Sequence, residues 1–449
     1  MSAPGGIIAG PRIDPRSARR RYVTTCALFW LPMGLTIAPL VLLFTERGMA
    51  LTAVAGFFLA HSLTAAVLEL PTGGLSDVIG RRAVLAAAGL LNAAAFTLQA
   101  LSTTAWALAL GMALMGAGRA LSSGPAEAWY VDAVQASRGP DAELRTGLAR
   151  GGAATSAALA LGTLIGGALP WLLDLGPGDR IASATSDLVL PLSAPLLLGT
   201  VVVLCFTGYV LTALREPPRA PVTLPGVLRG VPTTVAEGLR LGGRSTLVRR
   251  VLWSTAAIGG ALATTELLTP GRVATLTGAP ESGTLVFGAL SCAGFACSAL
   301  GSHLAPPVAR RAGSGQRAVL VALATAAVGL LPLGVTAAVS GPPAWALGAL
   351  GYGLLYLGLG AAGPNQNELL HRAVTSSGRA TALSVQSLAL QLSGAVTGLL
   401  VASLGVGPLP WLLATALLLT AALLWCRAPE RDVPPAPSAP VPETIRTAS

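Results

Sequence analysis

The chain has 449 residues, of which 53% are hydrophobic and only 11% are charged, and its mean hydropathy is +0.69. Soluble domains contain about 25% charged residues, so a chain of this length with so few charges is predicted to cross a membrane many times. All 29 basic residues are arginine. The absence of lysine excludes a Walker-type ATPase and a lysine Schiff base, because each needs a lysine side chain.

The formal net charge of +10 does not indicate nucleic-acid binding, because the arginines lie between the apolar runs. The five cysteines lie inside apolar runs without metal-ligand spacing, so neither a metal site nor a disulfide framework is expected. The sequence contains no pattern that calls for a cofactor. It also lacks paired aspartates, metal-spaced histidines and a nucleophile elbow, and we therefore expect no enzymatic activity.

Twelve apolar runs are long enough to cross a bilayer, since a spanning helix needs about 20 mainly apolar residues. The predicted spans are 22–45, 51–72, 83–102, 105–131, 150–173, 190–213, 251–273, 284–306, 318–340, 344–364, 380–404 and 409–426. The predicted parts of the chain are a basic N-terminus (1–21), a six-helix bundle (22–213), a linker with an amphipathic basic helix (214–248), a second six-helix bundle (249–428) and a disordered tail (429–449).

The two predicted bundles are related by an internal repeat. A shift of 229 residues lays the first span on the seventh, and it places Arg81 and Arg82 on Arg310 and Arg311. The same shift places Asp77 on Pro306, so the second copy has lost its acid. The sequence therefore predicts an all-α membrane protein with twelve transmembrane helices in two pseudo-symmetric six-helix bundles.

The arginines also predict the orientation of the chain. Twenty-five of the 29 lie on the side of the predicted N-terminus, and Arg47, Arg180 and Arg272 lie on the other side. Positive residues accumulate on the cytoplasmic side of membrane proteins. We therefore expect a multi-pass protein of the cytoplasmic (inner) membrane, in contact with the lipid bilayer, with both termini in the cytoplasm.

The segment between the second and third spans reads GGLSDVIGRRAVL and covers residues 73–85. It resembles the loop signature of the major facilitator superfamily, with Val78 as a departure from the usual arginine. Its glycines have separate predicted uses, since Gly73 lets two helices approach and Gly80 permits a tight turn. The matching residues are Gly73, Leu75, Ser76, Asp77, Gly80, Arg81, Arg82 and Leu85.

The resemblance implies a transporter whose two bundles surround a central cavity that opens alternately to each side. It also implies that Asp77 caps the eleventh helix near residues 378–382, and that Arg81 pairs with an acid at the end of the fourth helix, here Asp132. We expect an Asp77–Arg81–Asp132 cluster that latches the halves and favours the outward-facing state. The alternative is that Arg81 and Arg82 only anchor the loop on the positive side.

Charges within predicted spans are costly and usually functional, and the candidates among them are Glu69, Arg119, Glu127 and Glu266. The segment around Arg119 resembles a motif of the same family on the fourth helix, and this resemblance implies a proton-relay role for Arg119. The alternative is an interhelical ion pair with Glu69 or Glu127. Those two acids lie near the cytoplasmic side, which favours a gate or packing role. Glu266 lies deeper and is the best candidate for a proton or cationic-substrate site.

Neutral polar residues within the spans add further candidates. His61 could relay protons, although a hydrogen bond to a neighbouring helix is the preferred interpretation. Gln386 and Gln391 in the eleventh span either line a cavity or bond across helices.

The fifth span contains half of a glycine motif found in proton-coupled exporters, with Gly162, Gly166 and Gly167 present and Thr163 in place of a proline.

These observations favour secondary active transport of a small molecule, with proton-coupled efflux of a hydrophobic or amphipathic compound by a monomer as the leading hypothesis. A metabolite uptake symporter or a uniporter is the alternative. A membrane sensor that does not transport is a hypothesis from another class, and it predicts a large soluble domain that the sequence lacks.

The latch hypothesis predicts that Asp77→Asn shifts the conformational balance away from the outward-facing state, because the amide removes the charge that holds the eleventh helix. The measurement is cysteine accessibility on each side of the membrane, together with transport. Asp141→Asn, in the next loop on the same side, serves as the control. Unchanged accessibility and transport in Asp77→Asn would contradict the latch.

Overall fold

The computed structural model describes residues 13–139, 141–216, 245–373 and 379–426, and within these ranges it contains helices and no strand. The helices are α1 (Pro15–Ile37), α2 (Leu40–Glu46), α3 (Leu51–Ile79), α4 (Arg81–Leu101), α5 (Ala105–Ser122), α6 (Pro125–Arg138), α7 (Arg145–Asp174), α8 (Gly178–Ala184), α9 (Ala194–Ala213), α10 (Thr246–Thr277), α11 (Pro280–Ala312), α12 (Gly315–Val335), α13 (Pro342–Ala373), α14 (Arg379–Leu404) and α15 (Leu409–Leu423).

The described helices account for all twelve predicted spans. Ten are long and apolar enough to cross a membrane when α5 and α6 count as one, and α1 with α2 forms an eleventh that bends by 43°. The twelfth is α15, a shorter apolar helix of 15 residues. The prediction of an all-α, multi-pass membrane protein is confirmed.

Several helix boundaries differ from the predicted ones. The first helix begins at Pro15 rather than at residue 22, because Asp14 caps it by accepting a hydrogen bond from the Ser17 amide at 3.2 Å. The seventh span begins at Thr246 rather than at residue 251, with Ser245 as its cap. Both starts are rich in arginine, so a hydropathy criterion placed them outside the helices. The remaining linker (217–244), with its predicted amphipathic helix, and the tail (427–449) lie outside the described residues.

Two spans that were predicted as continuous are broken. The first bends at Ala38–Pro39, between α1 and α2. The fourth breaks at Gly124, where a φ of +92° ends one helix and Pro125 begins the next. Glycine reaches this left-handed backbone without a steric penalty, and proline suits the first position of a helix. The break directs α6, which contains Asp132, toward the loop between α3 and α4.

The packing of the helices confirms the internal repeat. In the N-half (α1–α9), α1 packs on α7 and α9, α5 packs on α3 and α4, and α4 packs on α9. In the C-half (α10–α15), α10 packs on α14 and α15, α13 packs on α11 and α12, and α12 packs on α15. Each contact in one half therefore has its counterpart in the other, as two parallel repeats require.

The halves meet along two symmetry-related seams, α3 against α14 and α7 against α11. We call the end of the bundles at the α3–α4 turn the motif end and the opposite end the distal end. The α7–α11 seam lies toward the distal end and depends on glycine. A Cβ atom on Gly288 would lie 2.8 Å from the Thr163 carbonyl oxygen and 3.1 Å from the Cα atom of Gly167. The Thr284 hydroxyl donates to the Gly167 carbonyl across this seam at 3.0 Å.

The three motif glycines of the fifth span (Gly162, Gly166 and Gly167) therefore lie at helix crossings. Gly162 and Gly166 face the α1 backbone, whereas Gly167 faces α11 of the other half. This arrangement matches the small-residue packing that membrane helices use when they approach closely.

Gly288→Leu is expected to hold the distal ends of α7 and α11 apart, because the new side chain has no space beside the α7 backbone. Distances between spin labels on the two distal ends should shift to longer values. Gly208→Leu is the control, because a Cβ atom at Gly208 meets nothing within 4 Å. Identical distance distributions in the two variants would show that this seam does not require glycine.

Candidate functional site

The loop motif forms a tight turn between α3 and α4. Gly80 has a φ of +96° and is the single residue between the two helices. The Arg81 side chain forms an ion pair with Asp132 and donates to the Ala128 carbonyl, both on α6. The Arg81 side chain is 11% exposed and that of Asp132 is 40% exposed, so the pair lies at the edge of the bundle.

The other half of the predicted latch cannot be placed. Gly73 and Asp77 belong to α3, but their side chains lie outside the described part of the structure, as do the side chains of 374–381. Sequence reasoning missed Glu216, whose carboxylate accepts a hydrogen bond from the Arg82 amide at the start of α4. An acid at the N-terminus of a helix is a standard cap, but Glu216 is 134 residues away in the chain.

A cavity of about 240 Å³ lies between the two halves and brings together four of the predicted site residues. His61 comes from α3, Arg119 from α5, Glu266 from α10 and Gln391 from α14. The remaining wall is largely apolar, so polar atoms are few and converge from both halves. We call this space the inter-half cavity. Its other walls are Ala55, Phe58, Ser62, Met115, Gly259, Leu262, Ala263, Leu267, Leu390, Gly394, Ala395 and Gly398.

A second cavity, of about 270 Å³, lies mainly within the N-half and adjoins the first at Arg119. Its acids are Glu69 and Glu127, and one residue of the C-half, Ser387, closes it. We call it the N-half cavity. Its aromatic walls are Tyr22, Phe29, Trp30 and Phe206.

Gln391 joins the two halves where the cavities meet. Its amide donates to Glu69 at 3.5 Å and to Ser387 at 3.1 Å. The glutamine therefore lines a cavity and also bonds across helices. Gln386 differs, because its amide donates to Thr255 on α10 at 3.3 Å, a contact between two helices of the C-half.

The two cavities are lined by more acidic than basic side chains. Arg119 is exposed to the cavities and interacts electrostatically with Glu69, Glu266 and His61. Among the described residues that line the two cavities, it is the one arginine, whereas Glu69, Glu127 and Glu266 supply three carboxylates. One guanidinium cannot neutralise three ionised acids, so the two cavities together contain an excess of acidic side chains.

The family model described as Major Facilitator Superfamily matches residues 23–398. The chain belongs to the major facilitator superfamily. It is accordingly a secondary transporter of the major facilitator type, which agrees with a cavity at the interface of the two repeats. No curated protein sequence matches the chain.

Three solved major facilitator structures illustrate the shared fold. A single-residue variant of the nucleoside transporter NupG has a TM-score of 0.71 and 13% identity, covering 91% of this chain and 99% of that one. A bacterial homolog of the human lysosomal transporter Spinster, inward-facing and unoccupied, has a TM-score of 0.68 and 14% identity, covering 94% and 97%. A POT family transporter in complex with 5-aminolevulinic acid has a TM-score of 0.65 and 13% identity, covering 93% and 96%.

Sequence reasoning missed the aromatic side chains that line the N-half cavity of this major facilitator protein. Tyr22 stacks on Tyr130 with ring centroids 4.9 Å apart, and Cys26, Phe29 and Trp30 follow along the same cavity wall. Their spacing of three and four residues places them on one face of α1. This periodicity was present in the sequence, but an apolar span gives no indication of which face meets lipid and which meets a cavity.

A buried hydroxyl cluster lies near Glu266 in the C-half. The Tyr352 hydroxyl lies 3.1 Å from Ser291 Oγ and 3.4 Å from the Tyr356 hydroxyl, and both tyrosines interact electrostatically with Glu266. Buried tyrosines normally find a hydrogen-bond partner, and here they find each other. The cluster gives the apolar interior of the C-half a polar patch next to the carboxylate.

The Arg81–Asp132 ion pair is expected to stabilise the fold, because Asp132→Asn leaves a mostly buried guanidinium without its carboxylate. A double-mutant cycle with Arg81→Gln should give a coupling of about 0.5–1 kcal/mol, read from apparent melting temperatures in detergent. The Arg372–Glu368 pair is exposed on both sides and is the matched control, with a coupling close to zero. Equal coupling in the two cycles would contradict a structural role for Arg81.

Proposed function

We propose that the protein exports a hydrophobic or amphipathic compound across the cytoplasmic membrane in exchange for protons. The observation that carries this proposal is the pairing of two adjoining cavities with different chemistry. The N-half cavity offers aromatic faces with carboxylates, and the inter-half cavity offers Glu266 and Arg119 from opposite halves. The N-half cavity is proposed to bind a compound with aromatic rings, and the inter-half cavity is proposed to bind and release a proton.

The aromatic walls support this choice of substrate. Tyr22, Phe29, Trp30 and Phe206 present large apolar surfaces that bind ring systems by stacking and burial. Glu69 and Glu127 add negative charge at the same walls, so a cation is preferred over an anion. A carrier of sugars or organic acids would need more hydroxyl-binding groups or more arginines there.

Coupling between proton binding and transport is proposed to depend on Arg119, because this arginine interacts electrostatically with both Glu69 and Glu266. When Glu266 is deprotonated, its negative charge attracts the Arg119 guanidinium toward the C-half. When Glu266 is protonated, this attraction is lost and the guanidinium interacts mainly with Glu69. Because Glu69 also accepts from Gln391, the proton on Glu266 would change the contacts between the halves. His61 faces the same space and is proposed to hold the position of Arg119 through its neutral ring.

The orientation and the latch belong to the same proposal. The predicted excess of arginine at the motif end supports the proposal that both termini lie in the cytoplasm, and the carrier is proposed to act as a monomer. The latch is proposed to consist of Asp77, Arg81 and Asp132. Its support is the Arg81–Asp132 ion pair at the motif turn.

Metabolite uptake, by symport or by a uniporter, is the second candidate. The nucleoside transporter NupG is among the structures that share the fold, and the Gln391–Ser387 pair offers hydrogen bonds that a polar metabolite could use. This candidate predicts accumulation of polar solutes and no movement of aromatic cations.

The test uses purified protein in proteoliposomes with an imposed pH gradient and a fluorescent aromatic cation, ethidium, as the probe. The native protein should move ethidium against its gradient at the expense of the proton gradient. Glu266→Gln should abolish the uphill movement, because the amide cannot bind and release a proton. Glu143→Gln, an exposed helix-capping acid, should behave as the native protein.

Each other outcome identifies an alternative. Ethidium movement that ignores the pH gradient in the native protein indicates a uniporter. Uptake of nucleosides without ethidium movement supports the second candidate. A protein that moves neither class of compound fits a membrane sensor.

A further inference from the structure

A groove of about 320 Å³ opens on the outer surface of the C-half, away from both cavities, between α10, α14 and α15. Trp253 forms its most prominent wall and is 62% exposed. Thr420 on α15 is also exposed. We call this space the lateral groove, and its walls are Trp253, Ala256, Ala257, Ser393, Thr397, Leu417, Thr420, Ala421 and Leu424.

The walls of the lateral groove present a mainly apolar surface, and two of their three hydroxyl groups form hydrogen bonds within the protein. Ser393 donates to the Ala256 carbonyl at 2.7 Å, and Thr420 donates to the Leu417 carbonyl at 2.9 Å. These hydroxyls are therefore satisfied within the protein, and a polar solute would gain little from them. A hydrocarbon chain matches such a surface, and the bilayer supplies hydrocarbon chains at this position.

The lateral groove lies in the membrane leaflet nearer the motif end. Trp253 is seven residues from the start of α10, which corresponds to roughly 10 Å along the helix axis. Tryptophan at that depth is typical of the boundary between hydrocarbon and headgroups. The headgroup of a lipid in the groove would then lie beside the first turns of α10.

Positive charge is concentrated at those first turns. Arg249 is exposed, and Arg249, Trp253 and Ala256 follow at intervals of four and three residues, so they share one face of α10. Arg250 follows directly, and the N-terminus of α10 adds the positive end of the helix dipole. An anionic headgroup complements this charge, whereas a zwitterionic headgroup gains less.

We propose that the lateral groove binds an anionic phospholipid, with an acyl chain between α10, α14 and α15 and the phosphate beside Arg249 and Arg250. The bound lipid braces α10 against α14, the two helices that contribute Glu266 and Gln391 to the inter-half cavity. The site requires only that the protein spans a membrane, and it does not depend on the direction of transport or on the coupling ion.

The test measures the retention of phosphatidylglycerol and phosphatidylcholine by the full-length protein with native mass spectrometry, after delipidation and titration with each lipid. Native protein should retain phosphatidylglycerol preferentially. Arg249→Gln and Arg250→Gln should each lower phosphatidylglycerol affinity about fivefold and leave phosphatidylcholine unchanged. Trp253→Ala should lower the retention of both lipids, because it removes part of the wall for the acyl chain.

Two further variants keep the test decisive. Thr420→Trp fills the groove from its exposed wall and should displace both lipids without disturbing the buried core. Trp106→Ala removes a tryptophan that is 71% exposed on α5 of the N-half and should change nothing. Equal retention of the two lipids by native protein would overturn the proposal, as would a Trp106→Ala variant that loses as much lipid as Trp253→Ala.

Discussion

The electrostatic interaction of one guanidinium with acids on two sides is the constraint on which the site depends. Arg119 lies where the N-half cavity and the inter-half cavity adjoin, and it interacts electrostatically with Glu69 of the N-half and Glu266 of the C-half. Charge is expensive at this depth in a membrane, so an arginine and acids of opposite charge stabilise one another there. In the proposed mechanism, a change in protonation at Glu266 alters the balance at Glu69, because both acids interact with this arginine.

The charge of Arg119 can contribute to transport only if the two halves move as units relative to each other. The repeat of helix contacts in the two halves gives each unit its own internal packing, and the main contacts between the units are the α3–α14 and α7–α11 seams. At the α7–α11 seam, Gly167 and Gly288 let the backbones approach. At the α3–α14 seam, the Glu69–Gln391 hydrogen bond lies beside Arg119. A long hydrogen bond of 3.5 Å is weak, which suits a contact that forms and breaks during a transport cycle.

The motif turn illustrates how local and distant residues combine at one place. Gly80 is fixed by local geometry, since only glycine turns from α3 into α4 at that φ without strain. Arg81 and Arg82 then begin α4, and their partners come from α6 and from Glu216, three residues after the end of α9. Trp129 on α6 also donates to the Arg215 carbonyl at 2.9 Å. The chain that leaves the N-half is thus attached to the same turn that is predicted to latch the halves.

The sequence by itself determined the class of fold, the number of spans, the repeat and the turn at Gly80, because these follow from hydropathy, span length and one local motif. It also named Glu69, Arg119, Glu127, Glu266 and Gln391 as candidates, since polar groups within apolar runs stand out in any membrane sequence. Only the tertiary structure decided that Arg119 faces both cavities, that Gln391 bridges the halves while Gln386 does not, and that one face of α1 forms an aromatic wall. Hydropathy cannot separate a lipid-facing side chain from a cavity-facing one, because both lie in apolar helices and differ only in what packs against them.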